Sequence, residues 1–158
     1  KENLLSDSTI IFTYVKKFLI ENNYNDKLII MGRSLGSASA CEIISQHENE
    51  IDGCIIESGF GTERPIFKLL ELDLNKIKYK ENEGFQNLSK LKLYIKPIFI
   101  IHANDDKIIP ASEAIQMHQQ ITSKMNEIWI VPNADHNNIL MHTNQDYFIR
   151  IKRFIDSI

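Results

Sequence analysis

No apolar run in this sequence approaches the roughly 18 residues that a helix needs to cross a bilayer, so no part of it reads as a membrane span. An excess of charge of one sign is lacking too: acidic and basic residues are interspersed, and the net charge is −3 at pH 7. That balance gives no electrostatic reason to expect nucleic acid or an anionic membrane as a partner. Cysteine is scarce. Cys41 and Cys54 show no C-x-x-C spacing, which leaves out a disulfide framework or a zinc ribbon. They fall in an expected helix and an expected strand and read as buried free thiols; a single bridge between them is the other arrangement open to the sequence. Free thiols favour a reducing, cytoplasmic compartment. Internal repeats, low-complexity tracts and domain boundaries are not visible either.

What is present is the composition of one globular domain: 158 residues, 43% hydrophobic and 25% charged. Ile10, Ile11, Tyr14, Val15, Phe18 and Leu19 recur at helical spacing and predict a first helix, with Ser6, Asp7 and Ser8 as N-cap candidates. Apolar runs without alternation follow at Leu28–Met31, Cys54–Ile56, Pro97–Ile101 and Glu127–Val131, the pattern of strands buried on both faces. Further helices are expected after Gly36, from Arg64 to Leu72 with Pro65 in the first turn, and from Pro110 to Ile121. A last one starts near Asn144, with Tyr147, Phe148, Ile151, Phe154 and Ile155 on one face. Strand and helix alternating behind a leading helix predict an α/β fold, a parallel sheet of about four strands flanked by helices.

Gly32-Arg33-Ser34-Leu35-Gly36 fits the G-x-S-x-G pattern between the first strand and a helix of small residues, Ser37 to Cys41. A serine on such a turn sits on strained backbone with its hydroxyl lifted above the sheet. Glycines two residues either side are expected to remove β-carbons that would collide as the chain doubles back. The helix N-terminus aims its dipole at negative charge forming there, and the Leu35 N–H is the expected oxyanion-hole donor. The alternative is a plain glycine-rich turn in which Ser34 caps the helix.

A serine hydroxyl needs a histidine to take its proton and an acid to orient that histidine. Asp105 and Asp106 follow the third strand and His136 the fourth, in the order serine, acid, histidine. Glu57, after the second strand, is a remoter acid. His47 follows a helix end and His102 closes a strand, while His118 and His142 have no acidic partner at metal spacing. A metal site from His102, Asp105, Asp106 and His136 lacks any H-x-x-x-H or similar pair, so no metal is expected.

The segments GRSLGS (32–37), HANDDKIIP (102–110) and NADHNNI (133–139) resemble the nucleophile, acid and histidine motifs of α/β-hydrolase-domain serine hydrolases. The likeness covers essentially the whole chain, including Phe85–Leu91 before the third strand. The elbow is most similar to a subgroup of esterases and protein depalmitoylases; prolyl oligopeptidase-type enzymes are similar further off. Laid on this chain, the family's H-G-x-x-D-x-x-V/I-P motif implies Asp106 as the acid, with Asp105 one residue early. Ala103 replaces the usual glycine, and Asn137 stands where an aspartate often follows the histidine.

The resemblance implies a serine esterase or thioesterase with catalytic Ser34, Asp106 and His136. Leu35 would stand in the oxyanion hole, no cofactor would be needed, and the substrate would be a small-molecule or acylated-protein ester or thioester. It also implies that residues 1–158 are the C-terminal portion of one α/β-hydrolase domain. The N-terminal strands, the second oxyanion donor and any membrane-associating segment would then lie upstream, leaving the chain alone weakly active or inactive. Residues 59–93 would be a short cap insertion, with Phe60, Phe67, Leu69, Leu70 and Phe85 either walling an acyl pocket or packing the cap helix. A prolyl oligopeptidase-type peptidase and a non-catalytic interaction module are the competing readings.

Overall fold

The uninterrupted apolar runs become the strands of one sheet. The computed structural model describes the backbone of residues 1–158 and every side chain but that of Glu81. β1 (Ile29–Arg33), β2 (Gly53–Glu57), β3 (Ile98–Ala103) and β4 (Asn126–Val131) lie side by side in sequence order, each pair parallel. All residues of β2 and β3 are buried, as coverage of both faces requires. Alternation along the strands splits the core: Cys54, Ile56, Ile98 and Ile100 face one way, and Ile55, Phe99, Ile101 and Ala103 the other.

Helices α1 (Glu2–Glu21), α2 (Gly36–Gln46), α4 (Asn87–Leu93) and α5 (Ala111–Gln120) cover the first face, through Phe12, Cys41, Ile44, Leu91 and Met117. The second face is covered by α6 (Ile139–Thr143) and α7 (Gln145–Ser157), through Ile139, Tyr147, Ile151 and Phe154. The remaining helix, α3 (Arg64–Leu69), lies in the long connection between β2 and β3. In that connection the buried Glu63 accepts hydrogen bonds from the Tyr79 hydroxyl (2.5 Å) and the Phe85 N–H. Because the strands are parallel and in register, the loops after β1, β3 and β4 all emerge at the carboxyl end of the sheet.

The helices differ from expectation in instructive ways. α1 starts at Glu2, so Ser6, Asp7 and Ser8 are interior to it. Ser6 and Ser8 donate back to Asn3 O (3.0 Å) and Leu4 O (2.6 Å) instead of capping. The predicted apolar stripe faces outward: Ile10, Ile11, Tyr14, Val15 and Phe18 are exposed, while α1 meets α2 on the side that buries Ser8 and Phe12. Phe148 is likewise exposed, because α7 turns Tyr147, Ile151 and Phe154 to the sheet. α3 ends at Leu69, with Glu71 just beyond it in the left-handed region at φ 53°. α4 and α6, unforeseen from the sequence, are too short to show a helical period. Cys41 and Cys54 are buried and unbridged. Among the described residues no helix is long and apolar enough to cross a membrane.

Candidate active site

β1 runs into a reversal that α2 begins almost at once. Ser34 sits at its apex with φ 51°, a conformation strained for a residue with a β-carbon. Its N–H donates to Glu57 O at 2.9 Å, which fixes the apex beside the end of β2. A β-carbon on Gly32 would come within 2.5 Å of Gly36 O and 2.6 Å of Ala40 Cβ, so this glycine is what lets β1 and α2 approach. Gly36 is different. Nothing lies within 4 Å of a β-carbon built there, so the clash expected at the second glycine is absent: its missing side chain would point into open space. The Leu35 N–H finds no main-chain acceptor among the described residues, as is usual where a helix begins.

The loop after β3 turns the Asp106 carboxylate inward. Its Oδ1 accepts the N–H groups of Ile108 (2.9 Å) and Ile109 (2.8 Å), and its Oδ2 lies 2.7 Å from His136 Nδ1. His136 Nε2 is 2.9 Å from Ser34 Oγ. A carboxylate facing Nδ1 requires the proton there, which leaves Nε2 as the acceptor for the serine hydroxyl. Asp105 is exposed, accepts from Asn104 Nδ2 (2.8 Å) and does not reach the imidazole. His136 is carried on a tight turn in which Asp135 accepts Asn137 N–H and Asn138 Nδ2, both at 2.8 Å.

His102 is fully buried on β3, with Nε2 2.8 Å from Ile109 O and 3.5 Å from Asp106 Oδ2. Burial holds its pKa below the ordinary histidine value against the raising effects of Ile109 O and Asp106. The neutral ring donates to Ile109 O and so braces the residue whose N–H holds Asp106. Ala103 ends β3 within the core, packed with Val131 and Ala134, so its β-carbon is accommodated. Among the described residues no group of His, Cys, Asp and Glu is arranged to hold a metal ion.

Arg33, the variable residue of the elbow, was not singled out by the sequence pattern. Its Nε donates to Glu57 Oε1 (3.0 Å), and its Nη2 donates to the main-chain oxygen of His136 and to Asn137 Oδ1 (3.1 Å). Glu57, buried, also accepts the Tyr147 hydroxyl; burial and this bond raise the phenol's pKa. The remoter acid candidate is thus committed to Arg33 and Tyr147, not to the imidazole. The signal in the sequence was an opposite charge at the matched end of the next strand, visible only once Arg33 pairs in register with Glu57. A cavity of about 500 Å³ opens beside His136, with Lys107, Ile108, Asn133 and Asp135 in its wall.

A parallel α/β sheet whose strained serine turn meets a histidine and an acid from neighbouring strand ends is the architecture of the α/β-hydrolase fold. A profile of the prolyl oligopeptidase family matches residues 11–157, and the chain belongs to that family. Alpha/beta hydrolase domain-containing protein 17B of Homo sapiens is 24% identical over 132 residues, which cover 82% of this chain and 42% of that protein. The chain therefore spans less than half the length of such relatives. Among solved structures, the Paleococcus ferrophilus monoacylglycerol lipase superposes with a TM-score of 0.69 at 12% identity, over 97% of this chain and 75% of that one. The Pyrococcus horikoshii acylaminoacyl peptidase does so with a TM-score of 0.72 at 16% identity, over 95% of this chain and 27% of that one. At these identities the two share the fold.

Proposed function

We propose that the chain carries the catalytic groups of a serine hydrolase that cleaves carboxylic ester or thioester bonds through an acyl-enzyme. The observation behind this reading is the unbroken hydrogen-bonded run from Ser34 Oγ through the His136 ring to Asp106. Ser34 Oγ attacks the carbonyl carbon as His136 Nε2 takes its proton, and Asp106 stabilises the imidazolium. The oxyanion is met by the Leu35 N–H. His136 then protonates the leaving alcohol or thiol, and a water activated by the same nitrogen releases the acid and restores Ser34.

In the same reading the chain is the C-terminal portion of a longer hydrolase domain, which supplies the second oxyanion donor. The 42% share of the human relative and the open edge of β1 support this. A peptidase is the second reading, favoured by the family to which the chain belongs. A fluorophosphonate probe should label Ser34 in the protein extended to its native N-terminus, and Ser34→Ala should abolish labelling. No adduct would overturn the enzyme and leave the interaction module. Faster turnover of p-nitrophenyl esters than of peptide p-nitroanilides is expected; the reverse order would establish the peptidase.

A further inference from the structure

We infer that a second cavity, of about 460 Å³ between α3 and the Asp106 loop, binds an amphiphilic anion: a phosphate or carboxylate head group on a short apolar chain. As a binding site it stands on its own geometry; as the subsite for an anionic ester substrate it rests on the hydrolase reading above.

The charge comes from two elements. Arg64 and Lys68 lie one turn apart on α3, a spacing that puts them on one helix face, and Lys107 follows Asp106 in the opposite wall. The side chains of these three make no hydrogen bond or ion pair among the described residues, whereas Lys16, Lys90 and Arg153 are each paired with a glutamate. The wall also holds two carboxylates. Glu113 accepts the N–H groups of Gly61 (2.9 Å) and Thr62 (3.0 Å) and keeps its charge, so with Glu71 the wall sets three cations against two carboxylates, an excess of one positive charge.

The apolar part of the wall is Pro65, Leu69, Ile108 and Pro110. Lys107 and Ile108 also line the cavity beside His136, so the two spaces adjoin across these residues. With Asp105, Asp135 and Lys107 in its wall the His136 side has an excess of negative charge and disfavours an anion; the α3 side, with its excess of positive charge, attracts one. A ligand would therefore lie with its charged end at Arg64, Lys68 and Lys107 and its apolar portion along Ile108 toward the cavity beside His136.

The test is calorimetric binding to Ser34→Ala protein, which removes turnover, with octyl phosphate, octyl glucoside and inorganic phosphate as ligands. Octyl phosphate should bind about tenfold more tightly than either of the others, and half-molar salt should weaken it. Arg64→Gln/Lys68→Gln should raise its dissociation constant about tenfold, the size expected for two partly exposed ion pairs. Lys107→Gln, outside α3, should weaken binding in the same direction and guards against a local collapse of that helix. Equal affinity for octyl glucoside, equal affinity for inorganic phosphate, or indifference to both variants would overturn the inference. Octyl phosphate binding without fluorophosphonate labelling of the wild-type serine would sink the hydrolase and keep the site; labelling without binding would do the opposite.

Discussion

The Arg33 guanidinium lies 3.0 Å from the Glu57 carboxylate, and its far side donates to the main-chain oxygen of His136. One side chain on β1 thus joins the end of β2 to the loop that presents the imidazole. If that loop is free to shift, Nε2 leaves the 2.9 Å contact with Ser34 Oγ. Arg33→Met is expected to lower kcat on a p-nitrophenyl ester about tenfold while KM changes less than about twofold, because Arg33 holds the loop of the proposed base and makes no contact with Ser34 Oγ. Arg33→Lys should recover part of the loss, since one donor can still reach Glu57 or His136 O. A fall in Tm with kcat intact would mark the residue as structural only.

Adjacent aspartates separate the proposed orienting acid from a bystander. Asp106 touches the ring and is held by two N–H groups, whereas Asp105 is exposed. Asp106→Asn favours the imidazole tautomer with the proton on Nε2, unable to accept from serine. It should lower kcat by about a thousandfold or more. Asp105→Asn should leave ester turnover within about twofold. Steady-state rates of the two variants decide the matter, and the opposite ranking would remove Asp106 from the mechanism.

Strands and elbow were legible because burial on both faces and a strand-to-helix reversal impose composition directly: Ile98 to Ile101 has no polar residue, and Gly32 admits no β-carbon. Surfaces were not legible in the same way. Periodicity shows that Ile11, Tyr14, Val15 and Phe18 share one side of α1, yet it cannot say what covers that side. In this chain the sheet is not what covers it. α4 and α6 went unread because one or two turns are shorter than the window of about 11 residues or more over which a helical period shows. Arg33 and Glu57 are 24 residues apart, and only the β1–β2 register brings them together. The resemblance to the family's motifs did single out Ser34, Asp106 and His136, three side chains that lie in hydrogen-bond contact, because each lies in the loop that follows a strand of the parallel sheet.

His102 makes stability depend on pH. Burial holds its pKa below the unfolded value of 6.5, so below that pH the unfolded chain takes up a proton that the folded chain refuses. Its contribution is fully present above about pH 6.5 and is lost as pH falls toward the lowered folded value. Thermal unfolding across this window should show Tm declining on the acid side. His102→Gln, which keeps an N–H for Ile109 O, should flatten that decline even if it lowers Tm at neutral pH. An unchanged slope would show that other groups carry the acid dependence.

The two glycines of the elbow should behave in opposite ways despite their symmetric places in the motif. At Gly32 a methyl group would meet main-chain oxygen and Ala40 Cβ, neither of which is the end of a flexible side chain. Gly32→Ala must therefore push β1 and α2 apart, and is expected to cost about 3 kcal/mol, the upper range for forcing atoms into a filled core. Gly36 has open space around its Cβ position and no left-handed φ, so alanine fits without strain. Gly36→Ala should be neutral or stabilising by up to about 1 kcal/mol, since it reduces the freedom of the unfolded chain and favours the first turn of α2. Denaturant midpoints for the two variants measure the contrast. Equal losses at both positions would mean that the open space at Gly36 is filled in the working protein.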